Sequence, residues 1–242
     1  MVPRRAYFEL PGQSVVDRED LIQIVTPSLR TGGLNVVTHA AIGEYDVEAT
    51  IDQVLADFRE AGVRWRWIVD PDSTPADLGE RLARRGMLRS EVSGVARATT
   101  EVPVVPGVTV ERVDARTVDE FTDVMARGWG FDPAPLAPLH AAMVARPEDG
   151  HHLFLARIDG RGVGAAKMVM FARSVFLQGG VVPAAERGRG AYRALVAARL
   201  AAGAAAGLPL ATSHAHPETS EPILVGMGFR VIERFGSYAF PA

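Results

Sequence analysis

The sequence predicts two consecutive α/β domains of one architecture, each a mixed sheet flanked by helices. Three observations lead there. From Ile51 onward, segments with helical spacing of apolar residues alternate with strand-like apolar runs. A series of helix, strand, short helix and strand occurs twice in the same order, Gly86 and Gly228 marking equivalent points 142 residues apart. At 242 residues, 48% hydrophobic and 23% charged, the chain is long and apolar enough for two cores of roughly 100–150 residues each.

The first copy is read from Ile51 onward. IDQVLADFREAG (Ile51 to Gly62) has helical spacing and a terminal glycine, and VRWRWIVDP (Val63 to Pro71) is a strand. Trp65 and Trp67 share one face of it, as core or inter-copy packing. DLGERLARRGMLRSEVSGVARA (Asp77 to Ala98) gives a short helix ending at Gly86-Met87, then a strand pair. EVPVVPGVTVERVD (Glu101 to Asp114) carries two prolines among valines, which suits a linker entering a strand. The boundary is placed near Pro103, giving domains 1–103 and 104–242.

The second copy begins with that strand. TVDEFTDVMARGWG (Thr117 to Gly130) is a helix with a Thr cap, Glu120 in the capping-box position and a closing glycine. PLAPLHAAMVARP (Pro135 to Pro147) is a second, short helix. Three strand runs span His151 to Val182, with a hairpin at Asp159-Gly160. A long helix from Arg189 to Gly207 follows, closed by Gly207 and Pro209. LPLATSHA is a strand, SEPILVGMG a short helix, and Phe229 to Phe240 a final strand pair. The order is β-α-α-β-β-β-α-β-α-β.

Composition narrows the function classes. The net charge is −3 and the pI about 6.1, so no global basic field recruits nucleic acid or an acidic membrane. No apolar run approaches the roughly 20 residues of a membrane-spanning helix, and the N-terminus lacks the apolar core of a secretory signal. With no cysteine there is no disulfide framework, thiol nucleophile or Cys-ligated zinc. A cytoplasmic protein is expected. Of 26 basic residues, 25 are arginine and Lys167 is the one lysine, placed on a strand facing solvent or a rim.

The segment with the most chemistry is VVPAAERGRGAYRAL (Val181 to Leu195), an apolar strand, a Gly-rich turn, then a helix. Gly188 and Gly190 let a ligand approach the backbone and make positive φ accessible. The first amides of the helix have no intrahelical acceptor and share the positive end of its dipole, so they suit a diphosphate. Arg187, Arg189 and Arg193 add positive charge. A Walker loop is excluded because no Gly-Lys-Ser/Thr follows. A dinucleotide fingerprint needs a third glycine where Arg193 stands.

The remaining match is the coenzyme A loop of the GCN5-related N-acetyltransferases, Arg/Gln-x-x-Gly-x-Gly/Ala after a strand. Arg187-Gly188-Arg189-Gly190-Ala191 resembles it, with Tyr192 where Gly or Ala is usual. The resemblance covers residues 104–242 and includes Gly228-Phe229 after the penultimate helix. It implies a tandem fold of that family, whose first half is structural because HAAIGEYDVEAT, before Ile51, holds no arginine or glycine cluster. It further implies acetyl-CoA as acyl donor and a small-molecule or peptide amine as acceptor. Amides of Gly180, Val181 and Val182 would grip the pantetheine and polarise the thioester carbonyl.

Two usual catalysts of the family are missing from their places. FARSVFLQGGVV (Phe171 to Val182) contains no acid, and Leu224 stands where a tyrosine is common. His214 and His216, two apart and so on one strand face, are candidate bases, with strand-end capping as their other role. Tyr238 is a candidate acid. His-x-His with Glu218 has metal-like spacing, but no further ligand cluster accompanies it and no metal is expected. Trp129, Phe131 and Asp132 lie where relatives hold a loop over the acceptor, and a hydrophobic plug is the alternative. A non-catalytic acyl-CoA-binding module, or transfer of an acyl group longer than acetyl, are the competing functions.

Overall fold

The computed structural model describes residues 6–30, 34–100 and 105–241. Contacts divide the chain into two compact units, Met1–Val92 with Arg234–Ala242, and Ser93–Glu233. Pro103, the expected boundary, lies outside the described residues. Two long strands, β5 (Leu88–Ala98) and β11 (Arg230–Ala239), pass from one unit into the other, so the contact division falls inside strands rather than in the linker.

The first unit runs β1 (Ser14–Asp17), β2 (Leu21–Val25), β3 (Val36–Ala40), α1 (Val47–Ala61), β4 (Arg66–Val69) and α2 (Leu78–Arg84) before entering β5. Strands β1 to β3 form an antiparallel meander, and α1 crosses over to place β4 parallel to β3. The far end of β11 returns antiparallel to β4, Tyr238 opposite Trp67. Val47, Ile51, Val54 and Phe58 line one face of α1 at helical spacing and are buried. They close on Trp67, Leu78, Leu82 and Tyr238 in a single core. Trp65 stacks on Phe58 with ring centroids 4.1 Å apart. Both tryptophans of this strand are therefore core residues of the first unit.

The second unit runs β6 (Thr109–Arg112), α3 (Val118–Trp129), α4 (Ala137–Ala145), β7 (His151–Ile158), β8 (Arg161–Met170), β9 (Ser174–Val181), α5 (Ala191–Ala205), β10 (Leu210–Ala215) and α6 (Ser220–Val225) before entering β11. This is the predicted order. Strands β6 to β9 are antiparallel in sequence, α5 carries the chain over to β10 parallel to β9, and β10 pairs antiparallel with the second half of β5. Asp159 and Gly160, at φ 51 and 75, close the β7–β8 hairpin between Ile158 and Arg161, as a two-residue turn of mirror-image type requires. Leu195, Val196 and Leu200 of α5 bury against Val163, Ala166 and Met168 of β8 and Val175 and Leu177 of β9.

The repeat is real at the level of elements. From α1 to α5 the step is 144 residues (47 to 191), and from β5 to β11 it is 142 (88 to 230). In both units a helix crosses between two parallel strands, and a short helix then leads into the long strand. Two expectations need correction. The final strand pair from Phe229 to Phe240 is one continuous strand, and so is its counterpart β5, because each runs on into pairing with a second unit's strand instead of turning back. The capping box on α3 does not form. The Thr117 hydroxyl accepts from the Asp114 amide at 3.1 Å, and Glu120 is taken by Arg157 at 2.7 Å.

Tyr238, a candidate catalytic acid, belongs to the first unit's core. It is 8% exposed, and its phenol lies against Gly79, where any Cβ would overlap it. It is a packing residue. Tyr238→Ala is expected to cost about 3–5 kcal/mol in a urea melt, as large-to-small core changes do, whereas Tyr238→Phe, which keeps the ring, should cost less than about 1.5 kcal/mol.

Candidate functional site

The site is built where β9 and β10 part. Their parallel register runs from Ser174–Leu210 to Leu177–Ser213 and stops. β9 continues through Gln178, Gly179, Gly180 and Val181. On its other edge the register against β8 shifts by one residue between Lys167–Gln178 and Ala165–Val181. Gly179, at φ 59, absorbs that extra residue as a β-bulge. The bulge turns the end of β9 out of line with β10 and frees that edge of its backbone from the sheet. Val181 then meets α3 so closely that a Cβ on Gly128 would stand 2.5 Å from its Cγ2.

Past Val181 the chain makes the Gly-rich turn. Gly188 and Gly190 have φ of 78 and 86, and Gly190 is the N-cap of α5. Both take a backbone conformation that side chains rarely adopt. A Cβ on Gly190 would also meet Val105 at 2.9 Å. The amides of Ala191, Tyr192 and Arg193 open the helix with no helical acceptor. The arginines of the turn divide. Arg189 is paired with Glu186 at 2.8 Å and lies 3.7 Å from Asp159. Arg161 shares the same Glu186 at 3.3 Å. Arg187 folds back, its Nε donating to the Val182 carbonyl at 3.1 Å. Arg193 is exposed and has no ion partner among the described residues. Two of the three expected guanidiniums, Arg187 and Arg193, are thus free of carboxylates, and Arg189 is not. Glu186 was the residue that sequence reasoning missed here.

The two faces of the parted strands differ. Toward α5, Gly180 is bordered by the Tyr192 ring and the Arg199 guanidinium, 3.1 and 3.4 Å from where its Cβ would be. Burial pushes the Tyr192 phenol up, so it stays neutral. Toward α3 and α4 lie Lys167, Gln178, His140 and His214. Lys167 is half-buried rather than solvent-facing, its Cε 3.1 Å from the Cβ position of Gly179. His140 is 2% exposed, and its Nδ1 donates to Thr122 Oγ1 at 2.9 Å while that hydroxyl donates to the Val118 carbonyl at 2.8 Å. Burial, with the Lys167 ammonium adding to it, pulls His140 down to about 3.

The two candidate bases are not equivalent. His214 stands one residue beyond the last β9–β10 pair, half-buried, with its ring edge-on to Phe176 at 5.3 Å. His216 has an exposed side chain, and its backbone organises the start of α6: its carbonyl accepts from the Thr219 and Glu221 amides at 3.2 and 3.0 Å, and its amide donates to Ser220 Oγ at 2.9 Å. On the acceptor loop, Trp129 ends α3 and is 46% exposed. Phe131 lines a cavity of about 400 Å3 with Glu120, Asp123, Arg127 and Pro133, and Asp132 accepts from the Ala134 amide at 3.0 Å. No group of metal-ligating side chains occurs among the described residues, and none of their helices is long and apolar enough to cross a membrane.

No family model matches the chain, and no curated protein sequence matches it either. Solved structures do. A GCN5-related N-acetyltransferase from Kribbella flavida superposes with a TM-score of 0.70 at 16% identity, over 95% of this chain and 90% of that one. A GCN5-related N-acetyltransferase from Sphaerobacter thermophilus gives 0.63 at 15% identity, over 94% and 75%. A tandem protein of the same family from the clavulanic acid biosynthesis pathway gives 0.61 at 14% identity, over 97% and 86%. The chain has the fold of the GCN5-related N-acetyltransferases.

His140 makes a pH prediction. Its folded value lies below the ordinary 6.5, so the folded protein binds fewer protons there than the unfolded chain. Its contribution to stability is full above about pH 6.5 and is lost as pH falls toward 3. Thermal melts through that range should show a falling midpoint, and His140→Gln should flatten the fall. An unchanged slope in the variant would contradict the assignment.

Proposed function

We propose that the chain is an acetyl-CoA-dependent N-acetyltransferase whose second unit binds the acyl donor and whose first unit is structural. One observation carries the reading: a strand edge released by a bulge leads directly into a helix opened by two positive-φ glycines. A thioester with a diphosphate needs both parts. Bare amides at the head of α5 suit the diphosphate, with Arg187 and Arg193 beside it. The free edge of Gly180, Val181 and Val182 suits the amide-bearing pantetheine arm and polarises the thioester carbonyl.

The donor supplies an activated acyl group. The acceptor amine attacks the carbonyl carbon in a ternary complex, its C–N bond forming as the C–S bond breaks. The amine's proton goes to a base, and the thiolate leaves to be protonated. His214 is the proposed base, since it stands at the mouth where the strands part and an imidazole can accept the amine's proton. His216 serves the turn into α6. Trp129, Phe131 and Asp132 are the proposed acceptor-side residues.

The first unit has the same crossover and a different electrostatic end. α1 opens at Asp46 with Glu48 in its first turn, and Glu48 pairs with Arg81 and Arg85 of the α2 region at 2.7 and 2.6 Å. Acidic groups at that end oppose a diphosphate. One donor site per chain is the consequence. The absence of a carboxylate from β9 also favours a second reading, a binding module without turnover.

Calorimetry on the full chain should give one acetyl-CoA site, weakened roughly tenfold or more by Gly190→Ala, which sets a Cβ at a left-handed position against Val105. Thiol release with a panel of amines should follow, and His214→Ala should lower its rate by roughly 10²–10⁴. No binding at millimolar donor overturns the reading. Binding without thiol release for any amine leaves the module.

A further inference from the structure

Arg199 is a buried cation without a counter-ion among the described residues. It is 2% exposed on α5, at a position where the helix otherwise presents Leu195, Val196 and Leu200 to the core. Its Nε donates to the Leu195 carbonyl at 2.9 Å and its Nη1 to the Lys167 carbonyl at 3.0 Å. A guanidinium has five N–H donors, and Nη2 has no hydrogen-bond partner among the described residues. None of their carboxylates lies within ion-pairing distance. Two half-buried arginines elsewhere are paired with several carboxylates each: Arg81 with Glu44, Glu48 and Asp77, Arg157 with Glu111 and Glu120. Burial pulls Arg199 down to about 10, which leaves it charged at neutral pH.

Its position matters more than its burial. Nη2 lies 3.4 Å from where a Cβ of Gly180 would be, on the released end of β9, beside the Tyr192 ring. Along α5 it is nine residues in from Gly190 (190 to 199), about 13 Å at 1.5 Å per residue. A donor anchored by its diphosphate at the helix opening and lying along β9 brings its acyl end toward this guanidinium. A buried charge is costly until it is paired. A neutral acetyl group leaves it unpaired.

We infer that the acyl group taken by this site ends in a carboxylate, a short dicarboxylic acyl thioester such as malonyl or succinyl, and that Arg199 receives that carboxylate. The inference rests on the coenzyme A thioester site proposed above and replaces its acetyl group with a carboxylate-ended one. Gly180 lets the chain pass the strand edge, and Ala166, 3.7 Å from the same Cβ position, keeps the floor small. Arg199 would select the donor by the asymmetry that a site built around a polar group shows toward a ligand lacking it.

The test is calorimetric titration of the full chain with free CoA and with acetyl-, butyryl-, malonyl- and succinyl-CoA, on the parent protein, Arg199→Met and Arg199→Lys. The parent should bind malonyl- or succinyl-CoA at least roughly tenfold more tightly than butyryl-CoA, the neutral chain of similar length. In Arg199→Met that ratio should collapse to within about twofold, and Arg199→Lys, which keeps charge but loses the fork, should fall between. If the Met variant does not fold, the parent's ratio decides alone. Equal or tighter binding of a neutral acyl-CoA, or a ratio that survives Arg199→Met, overturns the inference and leaves the donor reading standing, with Arg199 a clamp between α5 and β8. Failure of free CoA and every thioester to bind overturns both.

Discussion

The parting of β9 from β10 is the constraint on which the second unit depends. Parallel strands joined by a crossover helix normally stay in register for their shared length. Here a single left-handed glycine, Gly179, adds one residue against β8, and the end of β9 leaves its partner. Everything used in the site follows from that displacement. The freed backbone edge, the close approach of Val181 to Gly128, and the aim of the chain into the Gly188–Gly190 turn are one continuous deformation. A residue with a side chain at Gly179 would meet strain at that φ and the Lys167 stem at once.

The electrostatics around the deformation are cationic. Lys167 lies on one face of the parted strands and Arg199 on the other, and Arg199 donates to the Lys167 backbone carbonyl. Two acids of the second unit are committed to other partners, Glu120 to Arg157 and to the Gly162 amide, Glu186 to Arg161 and Arg189. Arg157 holds Glu120 below the usual carboxylate range, which keeps it ionised and bound. Among the described residues no carboxylate pairs with Arg199, which sets it apart from Arg157 and Arg189. His140 stays neutral in the same neighbourhood because burial and the Lys167 charge act in the same direction.

Much of this was legible in the residues because it rests on local rules. Asp159-Gly160 as a two-residue hairpin, the glycine ends of α1 and α3, and the strand–turn–helix at Val181 to Leu195 are each dictated within a few positions. The element order of the second unit followed from them. What was not legible depends on partners far along the chain. Thr117 and Glu120 fit a capping box until Asp114 and Arg157 compete for them. Tyr238 looked available on a terminal strand until β11 delivered it opposite Trp67, 171 residues earlier (238 to 67). Arg189 belonged to a basic turn until Glu186, three residues before it, neutralised it. Arg199 was hidden by its surroundings, since an arginine in an alanine-rich helix reads as solvent-facing when the helix face is unknown.

The two long strands link the two copies of the repeat. β5 begins in the first unit and ends beside β10, while β11 begins in the second unit and ends beside β4. Each unit is completed by residues belonging to the other copy of the repeat. Tyr238 and the register of Gly236, Ser237 and Tyr238 on β4 come from the last residues of the chain, so the first unit's core is not closed until the second has been made. In the first unit Glu48, in the first turn of α1, joins Arg81 and Arg85. A diphosphate site there would need those acids removed, and with them the ion pairs that tie α1 to α2.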